Sequence, residues 1–239
     1  MDYDDLAAGY ARHRRASDAV VAHLVEGGGL CAASVVLEIG CGTANHLAAV
    51  CGALAGRGIG VDQSAEMLAT ARGKMQPGRV VRGRAEALPI ADGCVDLAYS
   101  VDVVHHLNDV GAYFAEAARV LRPAGRLATV TDSAQTIRAR HPLATYFPGI
   151  VAPELARYPP VSSLRAAARQ AGLVVADTQH VERRHLVTEA SSSRDRAYSS
   201  LHLIPAAEFE AGMADLERDL AAGPIAATGR NVVLWAARA

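Results

Sequence analysis

Three residue constellations in this chain have the types and spacing to do chemistry. The first is Val35-Val-Leu-Glu-Ile39 followed by Gly40 and Gly42, an apolar run interrupted only by the acid Glu38. The second is Gly58-Ile-Gly-Val-Asp62, which puts another carboxylate at the end of a short run, twenty residues after Gly42. The third is the pair His105-His106, with Leu107 after it. Paired glycines permit a tight turn and let a ligand approach the backbone. An acid at that spacing suits a carboxylate accepting bonds from both hydroxyls of a ribose. A neutral imidazole can take a proton near pH 7, so His105 and His106 are candidates for a general base. The alternative is that one or both pack behind the neighbouring strand.

These residues need a scaffold, and the flanking sequence predicts one. Val35, Val36, Leu37 and Ile39 suit a strand buried on both faces, and a helix follows from about Asn45 to Cys51. Strand, glycine turn and helix make the nucleotide-binding half of a doubly wound sheet. The dinucleotide pattern G-x-G-x-x-G fails, because its third glycine position is Asn45. A carboxylate two residues before Gly40 sits badly beside a diphosphate. It suits a ligand with cationic groups, such as the ammonium and sulfonium of S-adenosylmethionine. Ser64 is placed to cap a helix over 65–74. A third strand is expected near 79–82, with the loop Gly83-Arg84-Ala85-Glu86 after it. A fourth is expected over 95–100, and a helix over 112–121 stops at Arg122-Pro-Ala-Gly125. A fifth strand, 126–131, leaves Asp132 at the carboxyl end, where ligands bind in open α/β sheets.

Outside this core the patterns predict pocket walls. Tyr3, Leu6, Ala7 and Tyr10 share one face of a helix over 2–12, and a second helix begins at Ser17 and stops at Gly27-Gly28-Gly29. Residues 135–160 are too many for a plain connection; they hold His141, Tyr146, Phe147, Arg157 and Tyr158. Arg157 is a candidate for holding a substrate carboxylate, the commoner role being a surface arginine. After a sixth strand over 173–177 comes a second insertion, 180–229. Its polar 191–200 portion is expected to be mobile, and Pro205 leads a helix with Phe209, Met213, Leu216 and Leu220 on one face. A last strand, 231–237, carries Trp235.

In order along the chain, VLEIGCGT, GVDQSAEMLATAR, GRAEALPIADGCVDLAYS and EAARVLRPAGRLATV resemble the class I S-adenosylmethionine-dependent methyltransferases. The resemblance runs from about Val35 to Asp132 and is nearest to the small-molecule group that includes the ubiquinone/menaquinone C-methyltransferases. It implies an α/β fold: a Rossmann-like, seven-stranded, mostly parallel sheet with an antiparallel last strand between the fifth and sixth. N-terminal cap helices and insertions after strands five and six complete one domain over 1–239. It implies S-adenosylmethionine as cofactor, held by Glu38, Gly40, Cys41, Gly42, Asp62, Gln63 and Met67. Ala85 and Glu86 would lie along the adenine, with Ser100, Val101 and Tyr10 also against the cofactor. Tyr3, Asp132, Tyr146, Phe147, Arg157 and Tyr158 would meet the substrate. His105 and His106 would stand beside the reacting methyl. The N/D-P-P-Y sequence of enzymes that methylate exocyclic amines or amides is missing, which disfavours that chemistry. Ala44 departs from the family, which commonly has a third loop glycine there. Methyl transfer to a small molecule is the activity implied. A lyase or cyclase releasing methylthioadenosine is the alternative on the same site, and a non-catalytic cofactor-binding protein is the second.

Bulk properties bound the rest. The 239 residues suffice for one large domain, and 51% hydrophobic with 21% charged residues is ordinary for a globular protein. A net charge of −1 with scattered arginines gives no reason to expect a nucleic-acid partner. Cys31, Cys41, Cys51 and Cys94 form no C-x-x-C pair and read as reduced thiols. Nine histidines without H-E-x-x-H suggest no metal site. The acidic start Met-Asp-Tyr-Asp-Asp is unlike a signal peptide, and no apolar run approaches the roughly 20 residues of a membrane span. A cytoplasmic location without membrane attachment is expected.

Overall fold

The computed structural model describes residues 15–76 and 79–239. The expected helix over 2–12, with Tyr3 and Tyr10, lies outside them.

β1 (Val35–Ile39) is central because nearly all its side chains are apolar: Val36 packs against one face of the sheet, Leu37 and Ile39 against the other. β2 (Arg57–Asp62), β3 (Val80–Arg82), β4 (Val95–Val101) and β5 (Leu121–Thr131) join it in parallel. β8 (Ile225–Arg238) runs antiparallel between β5 and β6 (Leu173–Val175), as expected of the last strand. The order is β3-β2-β1-β4-β5-β8-β6. On one face lie α1 (Asp18–Gly28), α2 (Asn45–Leu54) and α3 (Ala65–Arg72), burying Leu24, Leu47 and Leu68. On the other lie α4 (Val110–Val120) and α8 (Val161–Gln170), burying Phe114 and Leu164. Leu121 pairs with Val95 and Arg126 with Leu97, so Arg122-Pro-Ala-Gly125 bulges from the strand as the turn its sequence requires.

The second insertion holds more order than its sequence suggested. It contributes an eighth strand, β7 (Gln179–Val187), paired antiparallel with the first half of β8. The polar 191–200 stretch, expected to be mobile, instead forms α9 (Ser191–Arg194) and begins a 3-10 turn at Ser199, with Ser193 and Ser200 buried. The first insertion folds as α5 (Ala134–Arg138), α6 (Leu143–Tyr146) and α7 (Val151–Arg157). It packs against α10 (Ala206–Ala222) in a small core of its own, built from Phe147, Ile150, Leu201, Phe209, Met213 and Leu216. The two insertions thus support each other above the carboxyl ends of the strands.

Among the described residues, no helix is long and apolar enough to cross a membrane.

Candidate functional site

The loop between β1 and α2 turns on three left-handed residues, Gly40 (φ 72°), Gly42 (φ 51°) and Ala44 (φ 59°). At Gly40 a side chain is excluded twice over: a Cβ there would also lie 2.5 Å from Val103. Ala44, where the sequence departs from the family, accepts the strained conformation. Left-handed backbone costs a non-glycine residue about 1 kcal/mol. The Val61 carbonyl accepts from Gly40 N (2.7 Å) and Cys41 N (3.0 Å), fastening the loop to β2. Asp62 completes the fastening: Gly42 N donates to its Oδ2 at 2.7 Å and Ser64 N to its Oδ1 at 2.9 Å. Ser64 caps α3 through Met67 N, as its position predicted. Lys74 Nζ reaches Thr43 O at 3.0 Å and Asn45 Oδ1 at 2.6 Å, a clamp on the loop that the sequence did not reveal.

A cavity of about 790 Å³ opens at the carboxyl ends of these strands. Gly40, Gly42, Asp62, Gln63 and Met67 line one end, and Ala85, Glu86 and Val101 continue that wall. Glu86 ties two loops together, accepting from Asn108 N at 3.2 Å and pairing with Arg84 at 3.5 Å. His105 and His106 stand at mid-cavity, and Asp132, Tyr146, Phe147 and Tyr158 line the far side. His105 stacks on Tyr158 (centroids 3.9 Å, planes 16° apart) and touches the ring of His106 at 3.8 Å. Burial, aided by the Arg157 charge and opposed by Asp102, lowers His106 to about 4. Burial likewise raises the Tyr158 hydroxyl well above its usual value.

Four expected residues are not on the cavity wall. Glu38 is 2% exposed beneath the loop, where Tyr99 Oη donates to it at 3.4 Å. Cys41 turns its thiol toward Gly60, and burial pushes its pKa up. Ser100 is buried in a hydroxyl chain with Tyr113 (2.9 Å) and, through it, Thr129 (3.1 Å). Arg157 donates to Glu154 and, at 3.2 Å, to Ser199. Its charge is spent on Glu154, which is 1% exposed, and not on the cavity. Arg140, absent from the sequence reading, does line the cavity. It bridges Asp132 and Glu154, the latter at 2.9 Å. Burial raises Asp132 above the usual carboxylate range, against the pull of Arg140.

Glu38 carries a prediction. Burial raises its carboxyl to about 8, far above the roughly 4.3 of an unfolded chain. Between those values the folded state keeps a proton that the unfolded state loses. Stability therefore falls as pH rises through that window and levels off above about 8. Glu38→Gln should remove this decline: from about pH 5 to pH 8 the wild-type melting temperature falls relative to the variant's. Parallel curves would show that Glu38 ionises normally in the fold.

Residues 37–129 match the Methyltransferase domain family. Over this stretch the chain is similar to that family. The match spans β1 to β5 and thus covers every strand that presents the cofactor end of the cavity. A malonyl-[acyl-carrier protein] O-methyltransferase of Pectobacterium atrosepticum is 40% identical over 97 residues, 40% of this chain and 38% of that one. An O-methyltransferase of Penicillium expansum is 32% identical over 160 residues, 61% of this chain and 54% of the other. The chain thus matches about half or less of the length of these relatives. Among solved structures, the YcgJ protein of Bacillus subtilis superposes with a TM-score of 0.64 at 22% identity, covering 91% of this chain and 97% of that one. Geranyl diphosphate C-methyltransferase of Streptomyces coelicolor, solved with S-adenosyl-L-homocysteine, gives 0.59 at 17% identity over 92% and 76%. The fold is that of Rossmann-like methyltransferases.

Gly40, Gly42 and Asp62 line one end of the cavity together. Asp62 uses two acceptor positions on backbone N–H groups.

Proposed function

We propose that the protein transfers the methyl group of S-adenosylmethionine to a small-molecule acceptor in the cytoplasm, without a membrane or nucleic-acid partner. The observation that carries this reading is the continuity of the cavity. One space joins the Asp62 carboxylate and glycine loop to the histidine pair and to the walls supplied by the two insertions. S-adenosylmethionine, when bound, supplies an electrophilic methyl on its sulfonium. Asp62 would hold the ribose, and the loop backbone at Gly40 and Gly42 the amino-acid end. Ala85 and Glu86 would flank the adenine. Asp132, Tyr146, Phe147 and Tyr158 would enclose the acceptor. Holding the acceptor about 3–3.5 Å from the methyl carbon, in line with the leaving sulfur, removes the entropic part of the barrier.

His106 suits proton removal that accompanies methyl transfer. A group titrating near 4 is neutral at pH 7 and a weak base. The acceptor's X–H becomes strongly acidic as it gains the methyl, so a weak base suffices to take its proton. His106→Ala should lower kcat about 100-fold. The wild-type rate should stay flat from pH 8 down to about 5 and fall only near 4. A limb near 6.5 that vanishes in His105→Ala would assign the proton to His105 instead.

The relatives named above act on an acyl-carrier-bound malonyl group and on geranyl diphosphate, and the resemblance to quinone C-methyltransferases adds a third acceptor class. The acceptor's reacting atom here follows none of them by identity alone. Calorimetric titration with S-adenosylhomocysteine tests the cofactor half of the reading. One-site binding is expected, and absence of binding contradicts it.

A further inference from the structure

We propose that the far wall of the cavity, built by Arg183 of β7 and Arg196 beyond α9, binds an anionic group of the acceptor, a carboxylate or a phosphate. The proposal rests on the methyl-transfer reading only for calling this ligand the acceptor; the anion site stands on its own geometry.

Three arginines on the cavity wall are already neutralised. Arg84 pairs with Glu86, Arg140 with Asp132 and Glu154, and Arg230 with Glu182 at 2.7 Å. Arg183 and Arg196 also line the cavity, and neither has a carboxylate partner among the described residues. Both are built into position. Arg183 and His185 alternate along β7, so they share the face turned to the cavity. Across the ladder from Arg183 stands Gly229. Its missing side chain gives the guanidinium its place: a Cβ at Gly229 would lie 3.3 Å from Arg183 Nη2.

Arg196 is held differently. Its backbone is left-handed (φ 46°), a conformation that non-glycine residues rarely adopt. Its guanidinium lies 3.8 Å over the ring of Phe209, which in turn stacks on Phe147. One face of the cation is thus seated on aromatic carbon, and one Nη1 contact, to Leu201 O, is long at 3.4 Å. Strain accepted to hold a charge at a cavity wall points to a ligand. Guanidinium groups match the planar and tetrahedral oxyanions through paired N–H donors. Asp195, the other charged side chain of this stretch on the wall, is solvent-exposed. The site was not visible in the sequence because β7 and the 191–200 stretch lie in one insertion whose partners are β8 and α10.

The test is calorimetry on the full chain, with and without S-adenosylhomocysteine, using pyrophosphate, succinate and neutral succinamide as probes. At least one anion should bind, more weakly as salt rises, and succinamide should not. Arg183→Gln and Arg196→Gln should each weaken anion binding at least tenfold. Arg184→Gln should leave it unchanged, since Arg184 is 82% exposed, bound to Glu182 and off the cavity wall. Preference for pyrophosphate or for succinate tells phosphate from carboxylate. Binding of neither anion by wild type, or equal binding by wild type and Arg183→Gln, overturns the proposal. S-adenosylhomocysteine affinity on the same samples keeps the two readings apart. Retained in the variants, it shows an intact fold. Absent in a wild type that binds anions through Arg183, it faults the methyl-transfer reading and leaves this site standing.

Discussion

Replacing Asp62 by alanine is expected to weaken S-adenosylhomocysteine binding by at least tenfold. In the proposed reading the carboxylate accepts from the ribose hydroxyls, and a hydrogen bond to a charged group contributes about 1.5–3 kcal/mol. Either bond alone accounts for a tenfold change. The substitution also orphans Gly42 N and Ser64 N, which now donate to Asp62 at 2.7 and 2.9 Å, so the glycine loop loses its tie to β2. Asp62→Asn keeps one acceptor oxygen and should fall between wild type and alanine. Calorimetric affinity, with a melting curve to register loop loosening, separates the two contributions. An unchanged affinity in Asp62→Ala would refute the ribose role.

Glu154→Gln is expected to lower stability by about 3 kcal/mol, the usual cost of breaking a buried ion pair from one side. Glu154 is 1% exposed and receives both Arg140 and Arg157. Without it two guanidiniums lose their shared anion, and the Arg157 link to Ser199 in the second insertion loses its anchor. For a domain of this size the loss corresponds to roughly 6–12 °C in Tm. Arg140 would keep Asp132 as its ion-pair partner, and in the proposed reading turnover should fall with stability. A shift under about 2 °C would show that the network is solvated and contributes little.

What could be read from the sequence, and what could not, divides along physical lines. β1, the glycine loop and Asp62 were legible because each is local: buried parallel strands are apolar runs, and left-handed turns call for glycine. The same reasoning misplaced Glu38. A polar residue in a doubly buried strand tells that something answers it, but not that the answer is Tyr99 of β4 rather than a ligand. Arg157 was singled out over Arg140 for a similar reason. Both lie in a stretch that read as irregular, so the i, i+3 pair Glu154–Arg157 on α7 carried no weight until the helix was known. β7 was missed because charges fill much of Gln179–Val187, and edge strands facing solvent and a cavity lack the apolar alternation that marks a half-buried strand. The far half of the cavity is assembled from these segments, so the glycine-loop end was foreseeable and the far end was not.

The most direct test of the central claim is to incubate the protein with S-adenosylmethionine alone and again with a small-metabolite extract, identifying the nucleoside product by mass spectrometry. S-adenosylhomocysteine that accumulates only when extract is present is the predicted result. Methylthioadenosine formed without extract would contradict methyl transfer and make the cofactor itself the substrate, and tight cofactor binding with no turnover in either case would contradict catalysis altogether.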